Sequence, residues 1–247
     1  EFYAEVSPGS PPLVTNARET TTGDGIQLAM EYGARFRNGD LRVPTLGGIE
    51  TEPGSKRTDY TDRWARVTPS EQRDPHEIYV TEDGERFVAE DTPLFNDLQN
   101  ALLDDSIDRF WVVFDEAGLE SADPPVVSGR DRDEIREMAR AGDVAWRAED
   151  VETLAERAGI DPEGLEKTVA TYNDGVETGE DPYGRSFLTP LDSPPYYALL
   201  THDTTLTTHG GIAVDDSLRV LDEDGTPIPR LYAAGEVTPT QPPSLAV

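Results

Sequence analysis

His209–Val237 reads HGGIAVDDSLRVLDEDGTPIPRLYAAGEV. Apolar residues alternate along Ile212–Val214 and Leu218–Leu221, which predicts two short strands broken at Asp215-Asp216-Ser217. Glu223-Asp224-Gly225 predicts a turn, because Asp-Gly readily supplies positive φ. Leu231–Ala234 predicts a strand of small residues that runs into Gly235 and Glu236. No large side chain stands there, so a ligand can come up against the backbone. Gly210-Gly211 offers the same access at the other end. A bulge and a turn explain the same glycines, and the residues alone leave both readings open.

A second glycine cluster lies upstream. Thr20-Thr21-Thr22-Gly23-Asp24-Gly25 precedes Ile26, Ala29, Met30 and Gly33, which fall at helical spacing. Thr22 or Asp24 is expected to cap that helix, and the glycines open its free N–H groups to a ligand. Thr208-His209-Gly210-Gly211-Ile212, then Gly225-Thr226-Pro227-Ile228-Pro229 and LYAAGEV, resemble the C-terminal part of the fumarate reductase/succinate dehydrogenase group of flavoproteins. That group includes fumarate reductases, 3-ketosteroid Δ1-dehydrogenases and tricarballylate dehydrogenases. The resemblance implies FAD as cofactor, with Glu236 in contact with it and Gly23, Asp24, Gly25, Gly210, Gly211 and Gly235 beside it. It also implies an FAD-dependent oxidoreductase that moves hydride between flavin and a CH–CH bond of a carboxylate or cyclic ketone.

The implied fold class is α+β: a fumarate reductase-like capping domain plus incomplete pieces of an FAD-binding Rossmann-like α/β domain. The expected boundaries are residues 1–40 and 206–247 for the FAD pieces and 41–205 for the cap. No G-x-G-x-x-G occurs in the sequence, so the βαβ unit that cradles a pyrophosphate is absent from it. The expectation is a fragment whose partner is a missing N-terminal FAD-binding segment.

Bulk composition sets further bounds. No apolar run approaches 18 residues, so no membrane span is expected. No leader of the signal-peptide kind is visible, which points to the cytoplasm. With no Cys, disulfides and thiolate chemistry are excluded. The net charge is −29, and of 21 basic residues only Lys56 and Lys167 are lysine. Acid-rich, lysine-poor chains resemble proteins of salt-accumulating halophiles, where salt screens the self-repulsion. Such charge disfavours nucleic acid as a partner. Two alternatives from other classes remain: a non-catalytic cap-like binding module, and an acidic protein that binds a cationic partner.

Between the two glycine clusters, Glu77–Val80 and Arg86–Val88 predict a hairpin turned at Glu82-Asp83-Gly84. Its GERFVAED resembles the group's G-x-RF-x-x-E signature at the floor of the substrate cleft, with Arg86 and Glu90 at the matching positions. They read either as a structural ion pair or as substrate contacts. Pro93–Leu103 is expected to be helical, with Leu94, Leu98 and Leu102 aligned, and RFWVVF at Arg109–Phe114 is expected to be a buried strand. Residues 131–140 predict a charged surface helix, and Asp150–Ala158 and Asp161–Val176 two more. The last carries Pro162 in its first turn and an apolar stripe of Leu165, Val169, Tyr172 and Val176. Asn173, in TYNDGVETGED, resembles the motif that closes the group's cap, and Tyr196–Leu206 predicts a returning strand.

The group's proton-transfer residue falls four positions after the signature Glu, which here is Leu94, and leucine carries no proton. Thr92, Asn96 and Asp97 read as helix-start residues. His76, beside Pro75, is a candidate to face the substrate, and His209 adjoins Gly210-Gly211. Metal binding has no support, since the histidines lack ligand spacing.

Overall fold

The computed structural model of this chain describes residues 14–18, 20–39, 45–58, 66–92, 95–104, 107–205 and 209–239. Leu94 and the lead-in before Val14 lie outside them. The chain divides into two compact units, one containing Ala17–Val43 and Thr205–Val247, the other Leu13–Asn16 and Pro44–Thr204.

The larger unit is built on a sheet whose described strands are β1 (Val14–Thr15), β3 (Thr45–Gly48), β4 (Ile78–Val80), β5 (Arg109–Asp115), β6 (Ala145–Ala148) and β7 (Tyr196–Thr205). The order is β1–β7–β5–β4, and β3 and β6 also pair with β7. β5 is apolar at every position from Phe110 to Phe114 because helices cover both faces of the sheet, and successive side chains alternate between them. Phe110, Val112 and Phe114 enter one core with α2 (Phe95–Asp104), α3 (Glu116–Ser121) and α4 (Arg132–Ala141). Trp111 and Val113 enter the other with α5 (Val151–Ala158) and α6 (Pro162–Thr178). Trp111 donates Nε1–H to the Ala158 carbonyl at 3.1 Å, which satisfies its one polar atom.

Helix ends follow local sequence. Asp131 and Glu134 form a reciprocal capping box on α4, Asp150 caps α5 and Asp161 caps α6. The helix over 131–140 is not purely a surface helix, since it buries Ile135 and Ala139. Leu165, Val169 and Tyr172 of α6 are buried, with Val176 packed partly against them. The predicted second hairpin strand at Arg86–Val88 is reduced to a single bridge between Val80 and Arg86. The backbone bonding there is confined to the turn, where Thr81 donates its N–H to the Glu85 carbonyl at 2.9 Å and Gly84 donates to the Thr81 carbonyl at 3.0 Å.

The hairpin turn docks on the first turn of α6 by close backbone contact. The Glu82 carbonyl accepts the Asp161 N–H at 2.8 Å. A Cβ on Gly164 would stand 2.0 Å from the Asp83 carbonyl oxygen, and one on Gly84 2.3 Å from the Leu165 nitrogen. Alanine normally favours a helix over glycine by about 1 kcal/mol. Here the clash reverses the sign, and Gly164→Ala is expected to destabilise by about 1–3 kcal/mol. A urea midpoint unchanged or raised by that substitution would show that the turn stands further off.

The smaller unit has α1 (Asp24–Glu31), β2 (Phe36–Arg37), β8 (Gly211–Ile212), β9 (Arg219–Leu221) and β10 (Pro227–Tyr232). β2 pairs with β8 and β9 with β10, around a small core of Ala29, Ala34, Ile212 and Val220. The two capping residues expected for α1 are corrected: Gly23 occupies the N-cap position with φ 77°, and no side chain caps the helix. The sharp entry needs left-handed backbone, which glycine adopts and Thr22 or Asp24 would resist. The last strand is also shifted: it ends at Tyr232, ahead of Ala233 and Ala234, and Gly235–Val237 is a 3₁₀ turn.

Candidate functional site

In the larger unit the signature hairpin places Arg86 and Glu90 together as a two-point ion pair. Nε of Arg86 lies 2.9 Å from Oε1 of Glu90 and Nη2 lies 2.6 Å from Oε2. Both side chains are buried, at 4% and 0% exposure. Arg86 also donates Nη1–H to Asp181 at 2.5 Å and sits 5.1 Å from the ring centres of both Tyr172 and Tyr183. Tyr183 closes the arrangement by donating its hydroxyl to the Arg86 carbonyl. Burial works against the Arg86 charge, but the Glu90 and Asp181 carboxylates outweigh it and raise its pKa. Burial likewise opposes ionisation of Asp181, and Arg86 overrides that to hold the carboxyl below the usual range.

Arg185, which the sequence reading did not single out, completes the network. Its Nη1 donates to Glu90 Oε2 at 3.0 Å and to the Glu77 carbonyl at 2.6 Å. The Glu90 carboxylate thus accepts from Arg86, Arg185 and the Tyr79 N–H, the last at 3.0 Å. Four donors saturate its two oxygens, which is the geometry of a structural anion. Beside it, Arg73 and Glu77 form a second buried pair, with Nη1 to Oε2 at 2.8 Å. Spacing of four residues outside a helix gave no cue to that pair.

His76 lies on the edge of the network and is half-buried. Its ring meets Phe187 edge-on, with centroids 5.1 Å apart, and Nδ1 is 3.5 Å from the Thr189 hydroxyl. Burial lowers its pKa, and Arg73 and Arg185 add to that against the opposing pull of Glu77 and Asp74. Asn173 exchanges two hydrogen bonds with the Leu191 backbone, at 2.9 and 2.8 Å, and so pins the segment after Arg185. Of the remaining helix-start candidates, Thr92 donates to Asp97 at 2.9 Å. Among the described residues no cluster of three or more His, Asp or Glu is arranged to hold a metal. No helix among them is long and apolar enough to cross a membrane.

The smaller unit gathers the glycine clusters. Gly211 packs against the turn that follows Gly235: a Cβ there would stand 2.5 Å from the Thr238 carbonyl carbon. Gly210 is packed in the same way under the Phe36 ring, at 2.7 Å. These two glycines serve internal packing. Gly25 faces the same turn, with its nearest neighbour Val237 Cγ2 at an ordinary 3.6 Å. Gly235 has φ 80° with nothing within 4 Å of a would-be Cβ, and Asp24, Gly25 and Glu236 are exposed. A helix start with no side-chain cap leaves backbone N–H groups to which an anionic group can bind. His209 is half-buried beside Gly210.

The family model for the FAD binding domain matches residues 2–241. The chain is 32% identical over 244 residues to the "Probable fumarate reductase Ifc3" of Shewanella frigidimarina, covering 96% of this chain and 37% of that protein. It is 30% identical over 251 residues to the 4-oxocyclohexanecarboxylate 2-dehydrogenase of Sinomonas cyclohexanicum, covering 89% of this chain and 40% of that one. Among solved structures it resembles the 3-ketosteroid Δ1-dehydrogenase of Sterolibacterium denitrificans, with 26% identity and a TM-score of 0.73 over 96% of this chain and 45% of that one. A flavocytochrome c3 fumarate reductase in its open conformation aligns with a TM-score of 0.64 at 26% identity, over 96% of this chain and 38% of the other. The chain spans about two-fifths of the length of these curated relatives. It has their mixed α/β fold and belongs to the FAD binding domain family, whose cofactor is FAD.

Proposed function

We propose that this chain supplies the substrate-capping unit and two pieces of the cofactor unit of a flavoprotein oxidoreductase. The enzyme moves hydride between flavin and a CH–CH bond of a carboxylate or cyclic ketone. The family match across residues 2–241 carries the reading. The relatives' names support the substrate class, since they pair fumarate, a 4-oxocyclohexanecarboxylate and a 3-ketosteroid with reduction or dehydrogenation.

Residues 17–39 and 209–239 are assigned to the cofactor unit, with the N-terminus of α1 at Gly23, Asp24 and Gly25, and the turn at Gly235 and Glu236, against FAD. Bound FAD supplies the hydride acceptor or donor. Residues 45–204 are assigned to the cap, where Arg86 and Glu90 hold the floor and His76 exchanges the proton that accompanies each hydride. A positioned acid or base of that kind is worth about 10²–10⁴ in rate.

The test is flavin content. The 247 residues expressed alone are expected to purify colourless, and the full-length protein yellow. Glu236→Ala in the full-length protein is expected to weaken FAD by roughly 1.5–3 kcal/mol, because a charge-assisted hydrogen bond is lost. A stoichiometric flavin band in the isolated chain would overturn its reading as a fragment of the cofactor unit, and unchanged affinity in the variant would overturn the assignment of Glu236 to the FAD site.

A further inference from the structure

We propose that Arg185 is the positioning residue of His76: its buried guanidinium clamps the backbone on both sides of that imidazole and leaves Nε2 free to exchange a proton. The inference rests on the proton role given to His76 above and adds the group that holds it in place.

The geometry is specific. Arg185 is 3% exposed. Nη2 donates to the Pro75 carbonyl, and Nη1 to the Glu77 carbonyl at 2.6 Å, so the two carbonyls flanking His76 are fixed by one planar cation. Nε donates to the Phe187 carbonyl at 2.6 Å, and the Phe187 ring is the one that meets His76 edge-on. Asp91 holds the same segment by accepting the Ser186 and Phe187 N–H groups at 2.7 and 2.8 Å. Glu90 balances the Arg185 charge at 3.0 Å. A residue that merely anchored a loop would not need all three carbonyls to belong to His76's neighbours and to its ring partner.

The clamp also sets the electrostatics. The charged groups that face His76 are Glu77, Asp74, Arg73 and Arg185, and burial with the two arginines lowers the pKa of the imidazole and so favours its neutral form. Thr189 lies beside Nδ1, and Nε2 has no hydrogen-bond partner among the described residues. A neutral ring with Nε2 open is a base. In the oxidation of a CH–CH bond, bound FAD would take up one carbon's hydrogen as hydride. The proton of its neighbour passes to Nε2, a C=C bond forms between the two carbons, and His76 becomes imidazolium. Reduction returns the same proton.

The test is a titration of full-length protein carrying ¹³C at histidine Cε1, with the His76 signal identified by its loss in His76→Asn. In the wild-type protein the signal is expected to titrate below an ordinary histidine and to carry a ring-current shift from Phe187. Arg185→Gln is expected to move the midpoint up and to reduce the ring-current shift, with circular dichroism and flavin absorbance unchanged. Should Arg185→Gln not fold, Arg185→Lys decides: it keeps a cation against Glu90 but loses the fork, and is expected to lose the ring-current shift. A His76 signal with wild-type position and midpoint in either folded variant overturns the proposal. These readouts need no substrate, so they succeed or fail separately from the flavin-content and Glu236 tests.

Discussion

Glu90→Ala in the full-length protein is expected to cost about 3–5 kcal/mol of unfolding free energy. The substitution leaves Arg86 and Arg185 buried with one carboxylate fewer between them, and it strips the Tyr79 N–H of its acceptor. Asp181 still neutralises Arg86, but nothing on Arg185's own side replaces the lost anion among the described residues. The comparison that gives this figure meaning is Glu82→Ala. Glu82 pairs with Arg109 at 2.5 Å, yet the two side chains are 62% and 46% exposed, and a pair of that kind is worth about 0–1 kcal/mol. Urea unfolding of both variants at equal FAD concentration separates the cases. Equal losses would show that the Glu90 network is not structural and would return Glu90 to direct contact with substrate.

The second large effect is that of salt. A net charge of −29 on 247 residues repels itself in dilute buffer. The Debye length falls from about 10 Å at 0.1 M to about 3 Å at 1 M, so most surface repulsion is screened in brine. Each kcal/mol of relieved repulsion is expected to raise the melting midpoint by about 2–4 °C for a protein of this size. The midpoint is therefore expected to climb steadily between 0.1 and 3 M KCl, and to climb less in sucrose of equal effect on apolar burial. Equal midpoints at the two salt concentrations would refute the screening argument.

What was legible in the sequence divides along a physical line. β5 was readable because a five-residue apolar run bounded by charges fits a strand covered on both faces. α6 was readable because Pro162 in its first turn and the stripe of Leu165, Val169, Tyr172 and Val176 announce a helix. These are local signals. Arg185 was not readable, since its importance comes from carbonyls 108 and 110 residues away. Asp181 and Arg86 are 95 residues apart and carried no pattern in common. Arg86 and Glu90 were found only through the resemblance, and that they form a buried ion pair is visible only in the structure. The cap of α1 was misread because Thr22 and Asp24 are good capping types, whereas the entry angle demanded a backbone that only Gly23 adopts without strain. Gly210 and Gly211 looked like ligand access and are packed under Phe36 and Thr238.

β7 is the hub of the larger unit's sheet, pairing with β1, β3, β5 and β6, and it is the last of those strands to leave the ribosome. Everything from Val14 to Ser193 is synthesised before the strand that joins the edges exists. During that interval β5 offers an unpaired apolar edge on the side that β7 later fills, a hazard of the kind that draws in chaperones. Contacts spanning so much sequence also close slowly, because the loop entropy is spent before the pairing returns it. The dense negative charge acquires a second use in this light. Like charge of that density is expected to hold nascent chains apart before the central strand is in place, and so to oppose their aggregation.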